Sequence, residues 1–258
     1  MSQTPVKQVS TGHVALVTGA ARGIGEAIAE RLAMDGHRVV LVDRLETTEE
    51  IAARLRSRGL DVVAVSFDLG DLQAVEGFFS ELSRREGIDI VVNNAGISPK
   101  HDGKSAPAAE TALPEWQQVL DINLTAPFLI SKATLPVMRA KGWGRFINMS
   151  SQAARTGSRV AGAHYAASKA GLIAFSRSLA IQVGGEGITV NCIAPGRIDT
   201  PMAREAGAAV NTAYVATIPA GRIGTPEEVA DAVSFYAGEG AGFVTGTVMD
   251  VNGGHYMG

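Results

Sequence analysis

Tyr165 and Lys169 stand four residues apart in the run His164-Tyr165-Ala166-Ala167-Ser168-Lys169. On a helix this spacing puts both side chains on one face, with Cβ atoms about 5–6 Å apart. A phenol titrating near ~10 is a poor base at neutral pH. A neighbouring ammonium stabilises the phenolate and lowers that value, which gives a group able to exchange a proton with an alcohol or carbonyl oxygen. The same pair on a solvated helix face would do nothing. Its meaning therefore depends on what else the chain supplies.

A second group of residues points to a phosphate-bearing ligand. Thr18-Gly19-Ala20-Ala21-Arg22-Gly23-Ile24-Gly25 follows an apolar run and opens a helical pattern. Glycines there let the backbone turn tightly and approach a pyrophosphate, whose charge sits at a helix N-terminus. The spacing TGxxxGxG sets the first glycine further from the second than GxGxxG does. Asp43 ends the second apolar run about twenty residues on, where a carboxylate bonds the ribose hydroxyls of a dinucleotide. Gly19, Arg22, Gly23, Ile24, Gly25 and Asp43 are thus candidate cofactor residues. Asp68 and Leu69 are placed to meet the adenine, and Asn94, Ala95 and Gly96 to pack beside the cofactor. The Asp43 charge would repel a 2′-phosphate and favours NAD over NADP, while Arg22 and Arg44 argue mildly the other way.

These residues need a scaffold, and the chain spells one out. Short apolar runs at 13–18, 38–43, 61–66, 88–93, 145–149, 188–193 and 247–251 read as strands. Helical patterns lie between them at 26–35, 47–58, 71–86, 115–140, 161–183 and 226–237, the fourth and fifth being long. Strands that are apolar throughout and alternate with helices indicate a parallel sheet covered on both faces. The expectation is a Rossmann-type, doubly wound α/β fold of about seven strands, binding its ligand beyond the strand C-termini. No linker or repeat divides the 258 residues, so one domain is expected over 1–258. The Ala- and Gly-rich segment 196–225, with Pro201 and Pro219, reads as a substrate lid carrying a short helix.

Composition narrows the class. The chain is 46% hydrophobic and 19% charged, with a formal net charge of −3, which favours a globular enzyme over a nucleic-acid binder. The 12 residues at the N-terminus are polar, and no apolar run suffices to span a bilayer. Cys192 is the single cysteine, which leaves no intrachain disulfide. Five histidines are scattered without ligand spacing, so no metal is expected. A cytoplasmic protein acting on a small molecule, with no nucleic-acid or membrane partner, is the economical reading.

Taken in order, TGAARGIG at 18–25, Asp68, NNAG at 93–96, Asn123, a serine before YAASK, Pro195-Gly196 and the closing GTVMDVNGG resemble the short-chain dehydrogenase/reductase family over residues 14–254. The resemblance implies that Tyr165 is the acid/base and that Lys169 binds the nicotinamide ribose while lowering the tyrosine pKa. It implies a serine that polarises the carbonyl, and Asn123 holding a water that links Lys169 to solvent. That serine commonly stands thirteen residues before the tyrosine, which is Gln152 here, so a one-residue insertion is implied. Ser151 is preferred, with Ser150 as the alternative. Pro195, Gly196, Ile198 and Thr200 resemble the positions that line the nicotinamide. Family members are commonly homotetramers, and by the same analogy His255, Tyr256 and Met257 would reach a neighbouring pocket.

Specificity in such proteins sits in three loops, here 97–109, 152–164 and 198–224. The first carries Lys100, His101 and Lys104, and the second Arg155 and Arg159. Basic groups near a mouth attract anions, although loop lysines are mostly solvated. Gln152 and His164, beside Ser151 and Tyr165, could bond substrate hydroxyls, which would suit a polyol or sugar. Three functions follow. The first is an NAD-dependent dehydrogenase of a secondary alcohol, polyol, sugar or hydroxy acid. The second is a 3-oxoacyl carrier-protein reductase using NADPH. The third is a non-catalytic dinucleotide-binding protein, disfavoured because the full constellation of catalytic residue types is present.

Overall fold

In the computed structural model, residues 12–158, 160–204 and 208–258 are described. The strands are β1 (Val14–Thr18), β2 (Arg38–Asp43), β3 (Val62–Ser66), β4 (Ile90–Asn93), β5 (Gly144–Met149), β6 (Ile188–Pro195) and β7 (Val248–Val251). They form one seven-stranded sheet in the order β3-β2-β1-β4-β5-β6-β7, every pairing parallel. β5 and β6 are buried at every residue, including the polar Arg145, Asn148, Thr189 and Asn191, as expected for central strands covered on both faces.

Helices cover both faces. α1 (Gly23–Met34), α2 (Thr47–Ser57) and α9 (Pro226–Ala237) lie on one side, where Ile28, Leu32, Leu55 and Val233 are fully buried against Val39, Leu41 and Ile90. α3 (Leu72–Glu86), α5 (Ala126–Lys141) and α6 (Ala163–Val183) lie on the other, with Phe79, Ile130 and Val183 packed on Leu16, Val91 and Phe146. The result is a single-domain, doubly wound Rossmann-like fold. The strand order reverses between β1 and β4, and the crevice beyond their C-terminal ends is where such sheets bind ligands.

The long helix expected over 115–140 is present from Leu113 to Lys141, with a π-helical turn at Asp121–Thr125 between α4 (Leu113–Leu120) and α5. The wide turn brings Asn123 into the interior, where its side chain bonds the backbone of Ile97. The apolar spacing alone could not reveal this break, because a single π turn leaves the helical period almost intact on either side.

The segment 196–225 is pinned at its base. Ile198 forms a parallel bridge with Gly224, supported by Asp199 N–H to Gly224 O and Gly224 N–H to Arg197 O, each 2.9 Å. Between these ends lie two short helices, α7 (Pro201–Arg204) and α8 (Ala208–Val215), where one was expected. The C-terminal tail rests on its own chain: Arg155 donates to Gly258 O at 2.6 Å and Asn252 to Tyr256 O at 3.0 Å. Among the described residues no helix is long and apolar enough to cross a membrane.

α9 opens on a reciprocal cap. Thr225 accepts from the Glu228 N–H, and the Glu228 carboxylate accepts from the Thr225 N–H. Arg222 and that N–H hold the Glu228 pKa down to about 2. A carboxyl depressed on folding contributes stability that is present above its ordinary value of 4.5 and is lost as pH falls towards about 2. Thr225→Ala is expected to cost about 1 kcal/mol in urea unfolding at neutral pH. Glu228→Gln is expected to flatten the acid limb of the stability–pH curve between those two values.

Candidate active site

The crevice is a cleft of about 450 Å³ that opens at the switch point. Its floor is the β1–α1 turn. Gly19 takes a φ of +65°, and a Cβ there would lie 2.8 Å from the Ala95 backbone. Gly25 has an ordinary φ but lies so close to Gly19 that a Cβ would come 2.0 Å from the Gly19 carbonyl oxygen. Both must therefore be glycine. The turn is tied to the end of β4 through Thr18, whose hydroxyl accepts from the N–H groups of Asn94 and Ala95 at 3.1 Å each. Asn94 returns its amide to the carbonyls of Thr18 and Gly19. Asn94 and Ala95 thus shape the turn as well as lining the cleft, and Thr18 is a positioning residue that the residue-by-residue reading passed over.

The other dinucleotide candidates fall along the same wall. Arg22, Gly23, Ile24, Asp43, Asp68, Leu69 and Gly96 all line the cleft. The Asp43 carboxylate accepts from the N–H groups of Ala21 and Leu45 at 3.1 and 3.2 Å, and among the described residues no cation pairs with it. Asp68 is held by Gly70 N–H at 2.9 Å. Pro195, Gly196, Ile198 and Thr200 form the opposite wall, with Thr200 accepting from Ala203 N–H to cap α7. Thr200 and Pro201 close over Gly23, 3.6 Å from where its Cβ would be.

At the other end of the cleft lie Ser151, Tyr165 and Lys169. β5 delivers the serines and the first turns of α6 deliver the other two. The two serines face different ways. Ser150 is buried and donates to the Lys169 carbonyl at 2.9 Å, which ties β5 to α6. Ser151 accepts from Ala153 N–H at 3.2 Å and shares a hydrogen bond with the Tyr165 hydroxyl. The Lys169 ammonium is buried, donates to Met149 O at 2.8 Å and lies 5.8 Å from the Tyr165 ring centre. Asn123 and Lys169 converge on Gly96, whose missing Cβ would sit 3.2 Å from both Asn123 Oδ1 and Lys169 Nζ. The Asn123 side chain is fully engaged: Oδ1 accepts from Ile97 N–H, and Nδ2 donates to Ile97 O and Ser168 Oγ.

Electrostatics revise one expectation. Burial pushes the Tyr165 phenol up, only partly offset by its hydrogen bond with Ser151. Burial also pushes the Lys169 ammonium down to about 8. The protein by itself therefore does not lower the tyrosine pKa, because desolvation of the phenolate outweighs the effect of its surroundings. Cys192 is buried too, its thiol raised to about 11 by desolvation, and it donates to Ser176, so it is no nucleophile.

Two further expectations are corrected by position. His164 is fully buried and points away from the cleft; its Nε2 meets Glu115 Oε1 at 3.0 Å, and Nδ1 has no partner. A residue adjacent in sequence to Tyr165 points about 100° away on the helix, and here that direction leaves His164 outside the cleft lining. His101 is drawn to the other oxygen of Glu115 at 2.6 Å, and neither His101, Lys104 nor Arg155 lines the cleft. Arg159 lies outside the described residues. Gln152 and Lys100 do line it, and so do Arg197 and Tyr214, which no sequence motif had singled out. Arg197 stands inside the run Pro195-Gly196-Arg197-Ile198, so that motif was the available signal.

A glycine turn at the switch point and a Ser-Tyr-Lys group at the mouth of one parallel sheet define a dinucleotide-dependent oxidoreductase. The family profile described as enoyl-(acyl carrier protein) reductase matches residues 19–256. The 3-oxoacyl-[acyl-carrier-protein] reductase of Pseudomonas aeruginosa is 41% identical over 248 residues, 95% of this chain and 98% of that one. The reductase of that name from Escherichia coli is 40% identical over the same shares. A crystal structure of a 3-oxoacyl-[acyl-carrier protein] reductase from Brucella melitensis with bound NAD superposes with a TM-score of 0.90 at 37% identity, covering 100% of this chain and 99% of that one. One from Beutenbergia cavernae, provisionally named an NAD(P)-dependent gluconate 5-dehydrogenase, has a TM-score of 0.90 at 36% identity, covering 95% and 96%. The chain belongs to the short-chain dehydrogenase/reductase family, as an oxidoreductase of CH–OH or keto groups.

The buried ammonium has a measurable signature. Because its folded pKa of about 8 lies below the ordinary 10.5, the folded state releases its proton first, and stability rises as pH climbs between those values. Lys169→Met is expected to be inactive yet at least as stable as the wild type at pH 7, since it removes a buried charge. The stability difference should shrink between pH 8 and 10.5 when Tm is followed across that range.

Proposed function

We propose that this protein is an NAD-dependent dehydrogenase of a small secondary alcohol of the polyol, sugar or hydroxy-acid type. The observation that carries the cofactor half of this reading is Asp43. Its carboxylate faces the cleft at the end of β2 without a cationic partner among the described residues, where it would accept ribose hydroxyls and repel a 2′-phosphate. The cradle formed by Gly19 and Gly25, which any Cβ would fill, fits a pyrophosphate at the start of α1. Gly19, Arg22, Gly23, Ile24, Gly25, Asp43, Asp68 and Leu69 would hold the adenosine and pyrophosphate. Asn94, Ala95, Gly96, Pro195, Gly196, Ile198 and Thr200 would flank the nicotinamide end, with Tyr165 and Lys169 at its ribose. A bound nicotinamide ring supplies the site that accepts or gives hydride.

The chain's own residues do the rest. The Ser151 hydroxyl donates to the substrate oxygen as charge develops on it. Tyr165 accepts that oxygen's proton in the oxidative direction and returns it in the reductive one. Lys169, held in place by Met149 O, stabilises the phenolate as it forms. Asn123 fixes the π turn and Ile97 beneath Lys169, and a water held there would connect the ammonium to solvent. Segment 196–225 would act as the lid, moving about its pinned base. Exposed Phe128 on α5 and Ile181 on α6 suit burial in a homotetramer, and a cytoplasmic location accords with the reading.

A second reading is favoured by the relatives at about 40% identity, which are named 3-oxoacyl-[acyl-carrier-protein] reductases. A paired absorbance assay at the reduced-nicotinamide band separates the two. NAD with polyols, sugars and hydroxy acids should turn over, whereas turnover only of a 3-oxoacyl thioester with NADPH would establish the reductase reading.

Two substitutions test the roles. Tyr165→Phe is expected to abolish turnover with NADH binding, followed by fluorescence, nearly intact. Retention of more than a few per cent of the activity would mean that another group is the base. Asp43→Ala is expected to shift the NAD/NADP ratio of kcat/KM towards NADP, and an unchanged ratio would move cofactor selection to another residue.

A further inference from the structure

Charges along the cleft are sorted by end. The carboxylates in its lining are Asp43 and Asp68, both at the end formed by β2, β3 and the glycine turn, with Arg22 and Arg44 beside them. Beyond Ser151 and Tyr165, the charged side chains that line the cleft are Lys100 and Arg197, and among the described residues no Asp or Glu lines that end. Lys100 is directed to Ser105 Oγ and the Val160 carbonyl.

Arg197 leaves the C-terminal end of β6 directly after Gly196. Its Nε and Nη2 meet Asn211 Oδ1 at 2.8 and 2.5 Å, and Nη2 meets Ala203 O at 2.7 Å. The guanidinium also lies 5.6 Å over the Tyr214 ring. Each of these partners is neutral, and Nη1 makes no hydrogen bond among the described residues. An arginine cannot shed its proton in a protein. A half-buried cation held in one orientation by neutral groups carries a desolvation cost that an anion in the cleft would offset.

We propose that the substrate is a small hydroxylated carboxylic acid, whose carboxylate is received by Arg197 and whose reacting oxygen lies at Ser151 and Tyr165. The proposal rests on the dehydrogenase reading and narrows it. A neutral acyl thioester would leave the Arg197 charge uncompensated. The bonds from Arg197 to Ala203 O and Asn211 also staple α7 and α8 to β6, so a test must separate recognition from that structural role.

The test compares an aldonate with the alditol of the same chain length, which differ by one carboxylate against one CH₂OH. Wild type, Arg197→Gln and Arg197→Lys are assayed with NAD, with Tm and NADH binding as controls. The wild type is expected to favour the aldonate in kcat/KM. In Arg197→Gln the aldonate/alditol ratio should fall about 10- to 100-fold, mainly through KM, because one charge-assisted bond is lost. Arg197→Lys should restore part of that ratio. An equal loss for both substrates would reduce Arg197 to the staple, and a wild type that favours the alditol would also overturn the proposal. Turnover of a 3-oxoacyl thioester alone would instead defeat the dehydrogenase reading beneath it.

Discussion

A buried ammonium organises this site. Lys169 carries its charge into the interior between α6, β5 and the end of β4, where its bonding partner is the carbonyl of Met149. An isolated cation in such surroundings is costly, and here the cost shows as a pKa brought down to about 8. The neighbouring elements are placed around it. Ser150 ties the Lys169 carbonyl to the strand bearing Ser151, and Gly96 leaves room for the ammonium beside Asn123. The π turn exists where Asn123 must reach the Ile97 backbone. Replacing Lys169 would relieve the constraint and leave the arrangement without a purpose.

The second organising constraint is the switch point. Because β1 and β4 are neighbours whose crossovers run to opposite faces, their C-terminal ends leave a crevice that no helix covers. Thr18, Asn94 and Ala95 join the two ends by hydrogen bonds, so the glycine turn is held as part of the sheet and is not a free loop. Residues of the segment pinned at Ile198 and Gly224, from Gly196 to Ala203 and at Tyr214, line the crevice from the far side. Candidate cofactor residues thus come from five separated stretches of chain, and the candidate reacting residues from two more. One sheet edge serves all of them, and that economy lets one domain hold both a dinucleotide and a substrate.

Much of this architecture is legible in the amino-acid sequence. The strands read as short, mainly apolar runs because a parallel sheet is covered by helices on both faces, and that pattern survives in sequence. Gly19, Gly25, Asp43, Tyr165 and Lys169 were identifiable because their chemistry is local: a tight turn, an acid closing a strand, two side chains one helical turn apart. What sequence left open depended on direction and on contacts between distant segments. Ser150 and Ser151 are chemically identical neighbours, and only the pleat of β5 and the approach of α6 turn one inward and the other to the cleft. His164 sits beside Tyr165 in the chain, yet rotation about the helix axis buries it against Glu115. The sign of the Tyr165 pKa shift was likewise undecidable, since burial and neighbouring charge oppose each other and only packing sets their balance. Sequence determined the fold, the dinucleotide class and the candidate pair Tyr165 and Lys169, because these rest on local pattern; tertiary structure decided orientation, desolvation and the place of Arg197 in the lining, because these are properties of the assembled cleft.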